Sequence, residues 1–135
     1  MSIQHFILLA FTLFNADVLF AQDSELTPEQ EEAIQTVALE INGECPVIAQ
    51  PAIPDGSSAS KDEMVVGQGA LKAYIKEGNE YLGCLVSLEE DWGDGISGSQ
   101  AAVINALYNR MVSNLEASAN AFNDQLKIYQ DRSGD

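Results

Sequence analysis

Histidine, cysteine and positive charge are all scarce in this sequence. Of 135 residues one is His, two are Cys and six are Lys or Arg, against 21 Asp and Glu. A formal net charge of -15 excludes the usual nucleic-acid binder, whose basic surface displaces counterions from phosphate. It equally excludes an electrostatic hold on anionic lipid. The lone histidine, His5, lies at the extreme N-terminus. Without imidazole, the rest of the chain lacks Ser-His-Asp and Cys-His catalysis and His-ligated zinc. No apolar run reaches the roughly 18–20 residues needed to span a bilayer. The length allows one domain at most. A hydrophobic content of 46% supplies a core in spite of the charge.

What is there begins with an address. Phe6 to Phe14 is an apolar run, followed by Asn15-Ala16-Asp17 and then Val18-Leu19-Phe20-Ala21. This pattern reads as a secretory signal over residues 1–21, cleaved after the small residue Ala21 to leave a single domain, 22–135. The usual basic residue ahead of the apolar run is missing. Asp17 interrupts the run and rules against a membrane span, and the first Cys is too distant for a lipoprotein junction. The expected location is periplasmic or secreted. Asp17 is the one charged residue of the signal, so its loss takes the net charge from -15 to -14. His5 leaves with it.

Cys45 and Cys84 are the only thiols. An even count in an exported chain reads by default as one structural disulfide. Two Cys without His cannot complete a four-ligand zinc site. A redox role wants a C-x-x-C pair or a thiolate near positive charge, whereas Cys84 lies among Glu77, Glu80 and Glu89. Closing a loop of about 40 residues contributes about 4 kcal/mol in the chain-entropy description.

Three capping boxes mark helix starts: Thr27…Gln30, Ser60…Glu63 and Ser97…Gln100. Pro28 occupies the first helical position, where its missing N–H costs nothing. The first helix, about 28–42, gathers Ile34, Val37, Ala38 and Ile41 on one side, and Asn42-Gly43 is expected to end it. The second, about 61–91, carries Met64, Gly67, Leu71, Tyr74, Gly78, Tyr81, Leu85, Leu88 and Trp92 at alternating steps of three and four, a coiled-coil-like seam. The third, about 98–131, carries a matching stripe of Ile104, Leu107, Tyr108, Met111, Leu115, Phe122, Leu126 and Tyr129. Gly67, Gly69, Gly78 and Gly83 lower helix propensity and point to close approach of a neighbour or to a weakness that packing covers. The short link Gly93–Gly98 forces an antiparallel return. The expected fold is all-α: an antiparallel long helical hairpin with a short N-terminal helix. Segment 44–59, with Pro46, Pro51 and Pro54, reads as an extended strap. Cys45 reaches Cys84 only if this strap runs back along the second helix, which rises 1.5 Å per residue.

The run Cys45-Pro46, Ile53-Pro54-Asp55-Gly56, Ala59-Ser60…Glu63-Met64, Ala73-Tyr74 and Tyr81-Leu82-x-Cys84-Leu85 resembles a family of small secreted helical proteins of proteobacteria. Tyr108-Asn109…Val112 and Phe122-Asn123-x-Gln125…Tyr129 extend the likeness over most of the chain after the signal. The resemblance implies an exported α-helical protein with paired Cys. That family has no assigned activity, so it brings no functional residues.

Remaining motifs are weighed on their chemistry. Gly93-Asp94-Gly95-Ile96-Ser97-Gly98 satisfies G-x-G-x-x-G, but no strand precedes it and its acids would repel a pyrophosphate. Ser58-Ala59-Ser60-Lys61 satisfies S-x-x-K without the companion motifs that chemistry needs. Glu90, Asp91 and Asp94, with Glu89, form an acidic cluster in a Gly-rich turn, the weak metal candidates of the chain. They suit Ca²⁺ in type but fail the EF-hand pattern, with Trp92 at position 3 and Ala101 at position 12. As a glycosidase pair they lack a cleft to raise one pKa. The aromatics Tyr74, Tyr81, Trp92, Tyr108, Phe122 and Tyr129 read as core. Asn105, Asn109, Asn114, Asn120, Asn123 and Gln125 give the third helix an amide-rich face, suited to interhelical hydrogen bonds or an uncharged binding surface. No catalytic residue and no cofactor emerge. The reading is an exported non-catalytic helical protein that binds another envelope or secreted protein or a second copy of itself; the alternative is an acidic calcium- or cation-binding module.

Overall fold

Each of the three capping boxes forms, and each opens a helix. In a computed structural model describing residues 27–134, α1 spans Pro28–Glu44, α2 Lys61–Trp92 and α3 Gly98–Ser133. A single 3₁₀ turn, Gly93–Gly95, leads from α2 toward α3. The expected signal 1–21 lies outside the described residues. At every start the Ser or Thr hydroxyl accepts the N3 amide while the N3 side chain accepts the cap amide, satisfying two otherwise orphaned donors. Among the described residues there are no strands, and no helix is long and apolar enough to cross a membrane. The fold is all-α.

The α2 seam is buried as its spacing predicts. Met64, Gly67, Leu71, Tyr74, Gly78, Tyr81 and Leu85 are the buried residues of that helix, while Leu88 and Trp92 are half-buried. Gly67 lies opposite Phe122 and the Tyr74 hydroxyl meets Met111 Sδ at 4.0 Å, so α2 and α3 run antiparallel. On α3 the seam departs from the predicted stripe. Tyr108 is exposed, and Val103 and Ser118 are buried instead. Steps of three and four from Ile104 through Leu107, Met111 and Leu115 arrive at 118 and 122, which leaves 108 facing outward. The buried Ser118 hydroxyl is served by Gln50 Nε2 at 3.3 Å from the strap.

Two helices cannot enclose a core by themselves, and a different third element closes each end. At the connected end α1 packs on α3 and α2, gathering Ile41, Cys45, Tyr74, Tyr81, Leu85, Val103, Ile104 and Met111. Ile41 and Leu85 are fully buried there. At the open end the strap takes over, and Ala59 joins Met64, Leu71 and Phe122 with Ile53 against them. The strap runs back along the hairpin as the two Cys positions require. Gln50 meets Ser118, Pro54 lies on Gly67, and Gly56 N donates to Gln125 Oε1 at 2.8 Å.

Helix ends differ from expectation in one instructive place. Asn42-Gly43 does not stop α1, which continues to Glu44; the positive-φ glycines are Gly93 and Gly134. Cys45 N donates to Ile41 O at 2.7 Å, and Asn42 Oδ1 instead receives the Val47 amide at 3.2 Å beyond the helix. The helix ends where the backbone must turn toward Cys84. At the other extreme α3 ends on Gly134 in the left-handed region, φ 73°.

The four α2 glycines divide in two. A Cβ on Gly67 would lie 2.5 Å from Pro54 Cγ, and one on Gly78 would lie 2.6 Å from Leu115 Cδ2. Gly69 and Gly83 face open space. Gly69→Ala and Gly83→Ala are therefore each expected to stabilise by about 1 kcal/mol through helix propensity, read as a higher urea midpoint at unchanged slope.

Candidate functional site

Cys45 and Cys84 form a disulfide, with S–S 1.96 Å and Cα–Cα 5.8 Å. It joins the residue immediately after α1 to the C-terminal third of α2, about two turns before Trp92. Together with the Asn42–Val47 hydrogen bond it fixes the direction in which the chain leaves α1. That geometry leaves an open groove of about 430 Å³ between α1, the start of the strap, α2 and α3. Ala38, Leu39, Val47 and Leu107 give it an apolar lining, Tyr81 contributes its ring, and Gln35 and Asn42 add amides. Leu39 is 74% exposed and Val47 61% exposed, and both belong to one contiguous apolar lining; Val66, equally exposed, belongs to a separate groove on α2. Burial pushes the Tyr81 phenol above its ordinary pKa, while the positive charge of Arg110 nearby pulls it down. Tyr81 is therefore neutral at physiological pH and presents a ring rather than a charge.

A second groove, of about 630 Å³, lies between the strap and the first half of α2. Pro51, Ile53, Pro54, Val66 and Ala70 line it, with Asp55, Asp62 and Glu63 at its polar end. Two of these carboxylates are engaged internally. Asp55 Oδ1 accepts from Ser57 N at 2.9 Å and Ser57 Oγ at 2.7 Å. Arg132 donates to the Ala59 carbonyl, stacks 5.4 Å from the Tyr129 ring centroid and draws on the Asp55 charge. Glu63 accepts from both the amide and the hydroxyl of Ser60. These bonds are architecture, locking the strap corner to both long helices.

The same bonds hold Asp55 and Glu63 below their ordinary values of 3.8 and 4.5; the Ser57 hydroxyl and amide are the main cause for Asp55, the Ser60 amide and hydroxyl for Glu63. A carboxylate depressed in the folded state stabilises above its unfolded pKa, and that contribution disappears as pH falls through the lower folded value. Acid is thus expected to loosen the strap corner. In an NMR pH titration, the Ser57, Ser60 and Glu63 amides should shift together below about pH 4, in a transition displaced to the acid side of a free carboxylate.

The acidic cluster is placed differently from a metal site. Glu90 and Asp91 lie on the last turn of α2 and Asp94 in the following 3₁₀ turn, all exposed. Among the described residues no three His, Cys, Asp or Glu side chains gather closely enough to hold a metal ion. The calcium reading therefore gains no ligand set from the fold. The amide-rich face of α3 is also put to structural use in part: Asn105 bonds back to Ala101 O, and Gln125 holds Gly56.

The groove itself was missed by sequence reasoning, because its lining comes from all three helices and the strap. Leu39 was the available signal, an aliphatic residue off the α1 stripe and next to Glu40. A second signal was charge distribution, since none of the six Lys and Arg precedes Lys61. Compared with known proteins, the chain matches no family model, no curated protein and no solved structure.

Proposed function

We propose that this protein is an exported, non-catalytic interaction module that works by docking another protein of the periplasm or the cell exterior. The observation that carries the reading is the apolar groove at the bridged end, with exposed Leu39 of α1 and exposed Val47 of the strap both in its lining. Its walls are preset by a disulfide and a capped helix exit, so ordering costs on binding are low. The disulfide and the resemblance to secreted, Cys-paired helical proteins support export. The shortage of imidazole supports a binding role over catalysis.

A photo-cross-linking residue placed at Leu39, with the same residue at exposed Ser113 on α3 as control, tests this in the producing cell. The expected result is a discrete adduct with another envelope or secreted protein from position 39 and none from 113. Equal labelling at both positions, or no adduct at 39, contradicts the proposal.

A further inference from the structure

No charged side chain lines the groove at the bridged end, and the helix that forms its α1 wall is uniformly acidic. α1 carries Glu29, Glu31, Glu32, Glu40 and Glu44, all exposed, and neither α1 nor the strap holds a single Lys or Arg. Glu31 and Glu32 lie one helical turn before Gln35, so they continue the line of the groove along α1. Arg110 is the basic residue that acts on Tyr81, from the α3 side. We propose that the occupant is a lysine- or arginine-rich amphipathic helix of another chain, its aliphatic face on Leu39, Val47 and Leu107 and its cations toward Glu31 and Glu32, the two α1 carboxylates that share the groove's face of the helix. This deepens the interaction reading given above and rests on it.

Three features select that occupant. Two prominent aliphatic side chains, one from a helix and one from a fixed extended segment, offer a helix-in-groove seat with anchors repeating every three or four residues. The α1 carboxylates raise the local concentration of cationic partners and penalise anionic ones. A second copy of this chain is disfavoured on that same ground, because a symmetric contact through the groove would bring the Glu31 and Glu32 pair of each copy toward an equally acidic α1. An uncharged apolar peptide would leave the carboxylates unused.

The experiment is calorimetry of the oxidised protein with three synthetic peptides: an amphipathic Leu/Lys helix, a scrambled isomer of the same composition, and a Leu/Glu counterpart. The amphipathic cation is expected to bind about tenfold or more tighter than its isomer, to weaken with added salt, and to lose about tenfold on Leu39→Ser, an exposed position where the fold tolerates polarity. The Leu/Glu peptide is expected not to bind. Circular dichroism of Leu39→Ser, with Val47→Ser as a second variant outside any helix, separates a lost contact from a lost fold. Equal binding of the two cationic isomers reduces the effect to bulk charge and overturns the proposal, as does indifference to both substitutions. A dimer in light scattering that Leu39→Ser disperses overturns it in favour of self-association. If position 39 cross-links to a partner while the Leu/Lys peptide fails to bind, the cationic occupant is wrong and the interaction reading stands; if neither occurs, both fall.

Discussion

Replacing both Cys45 and Cys84 with alanine lowers the melting temperature by roughly 15–20 °C. The two residues are 39 apart in sequence, and cross-links of that span restrict the unfolded chain by about 4 kcal/mol. About a hundred ordered residues convert 1 kcal/mol into roughly 4–5 °C. The native consequence is local. Ile41 and Leu85, both fully buried, flank the bridge, and through it α1 is held to the long hairpin. Without it α1 and the start of the strap separate first, while α2 and α3 retain their seam. Thermal circular dichroism with and without reductant measures the shift. A change below about 5 °C would mean that packing alone holds α1 in place.

Gly56→Ala is expected to cost about 3 kcal/mol, the upper range for forcing atoms into a filled site. The strap crosses α3 here with backbone against backbone. A Cβ would collide with the Gln125 carbonyl oxygen, and would lie 2.8 Å from its carbon and 3.0 Å from Tyr129 N. None of these atoms can rotate away. The Gly56–Gln125 hydrogen bond is lost with the contact. Urea denaturation checks the figure, with Gly83→Ala moving in the opposite direction as the internal contrast. If Gly56→Ala matches the wild type, the strap does not make this crossing in solution.

Those two substitutions also mark what the amino-acid sequence discloses and what it conceals. Capping boxes are local: Thr27, Ser60 and Ser97 each reach only three residues ahead, so all three helix starts were legible. So was the α2 seam, since steps of three and four at Met64 through Leu85 need no knowledge of a partner. The path of the strap followed from helix rise and the position of Cys84. Legibility ended where separate elements converge. Ser118 reads as a gap in an apolar stripe, yet it is buried because Gln50 arrives from the strap to meet its hydroxyl. Asn42-Gly43 reads as a stop signal, and the Cys45 anchor overrides it. Gly56 reads as an ordinary turn glycine and proves to be a point of backbone contact. The groove around Leu39 and Val47 exists only once the three helices and the strap are assembled, so no single segment announces it.

α1 and the strap, fixed by the disulfide, are proposed to form a docking groove for a cationic amphipathic helix. Isotope-labelled protein titrated with the Leu/Lys peptide tests this most directly, by amide shift mapping. The account predicts saturable changes concentrated at Gln35, Leu39, Asn42, Val47 and Leu107, and abolished when the disulfide is reduced. Changes spread along the exposed acids of α2, with Glu89 to Asp94 moving as much as Leu39, would contradict it.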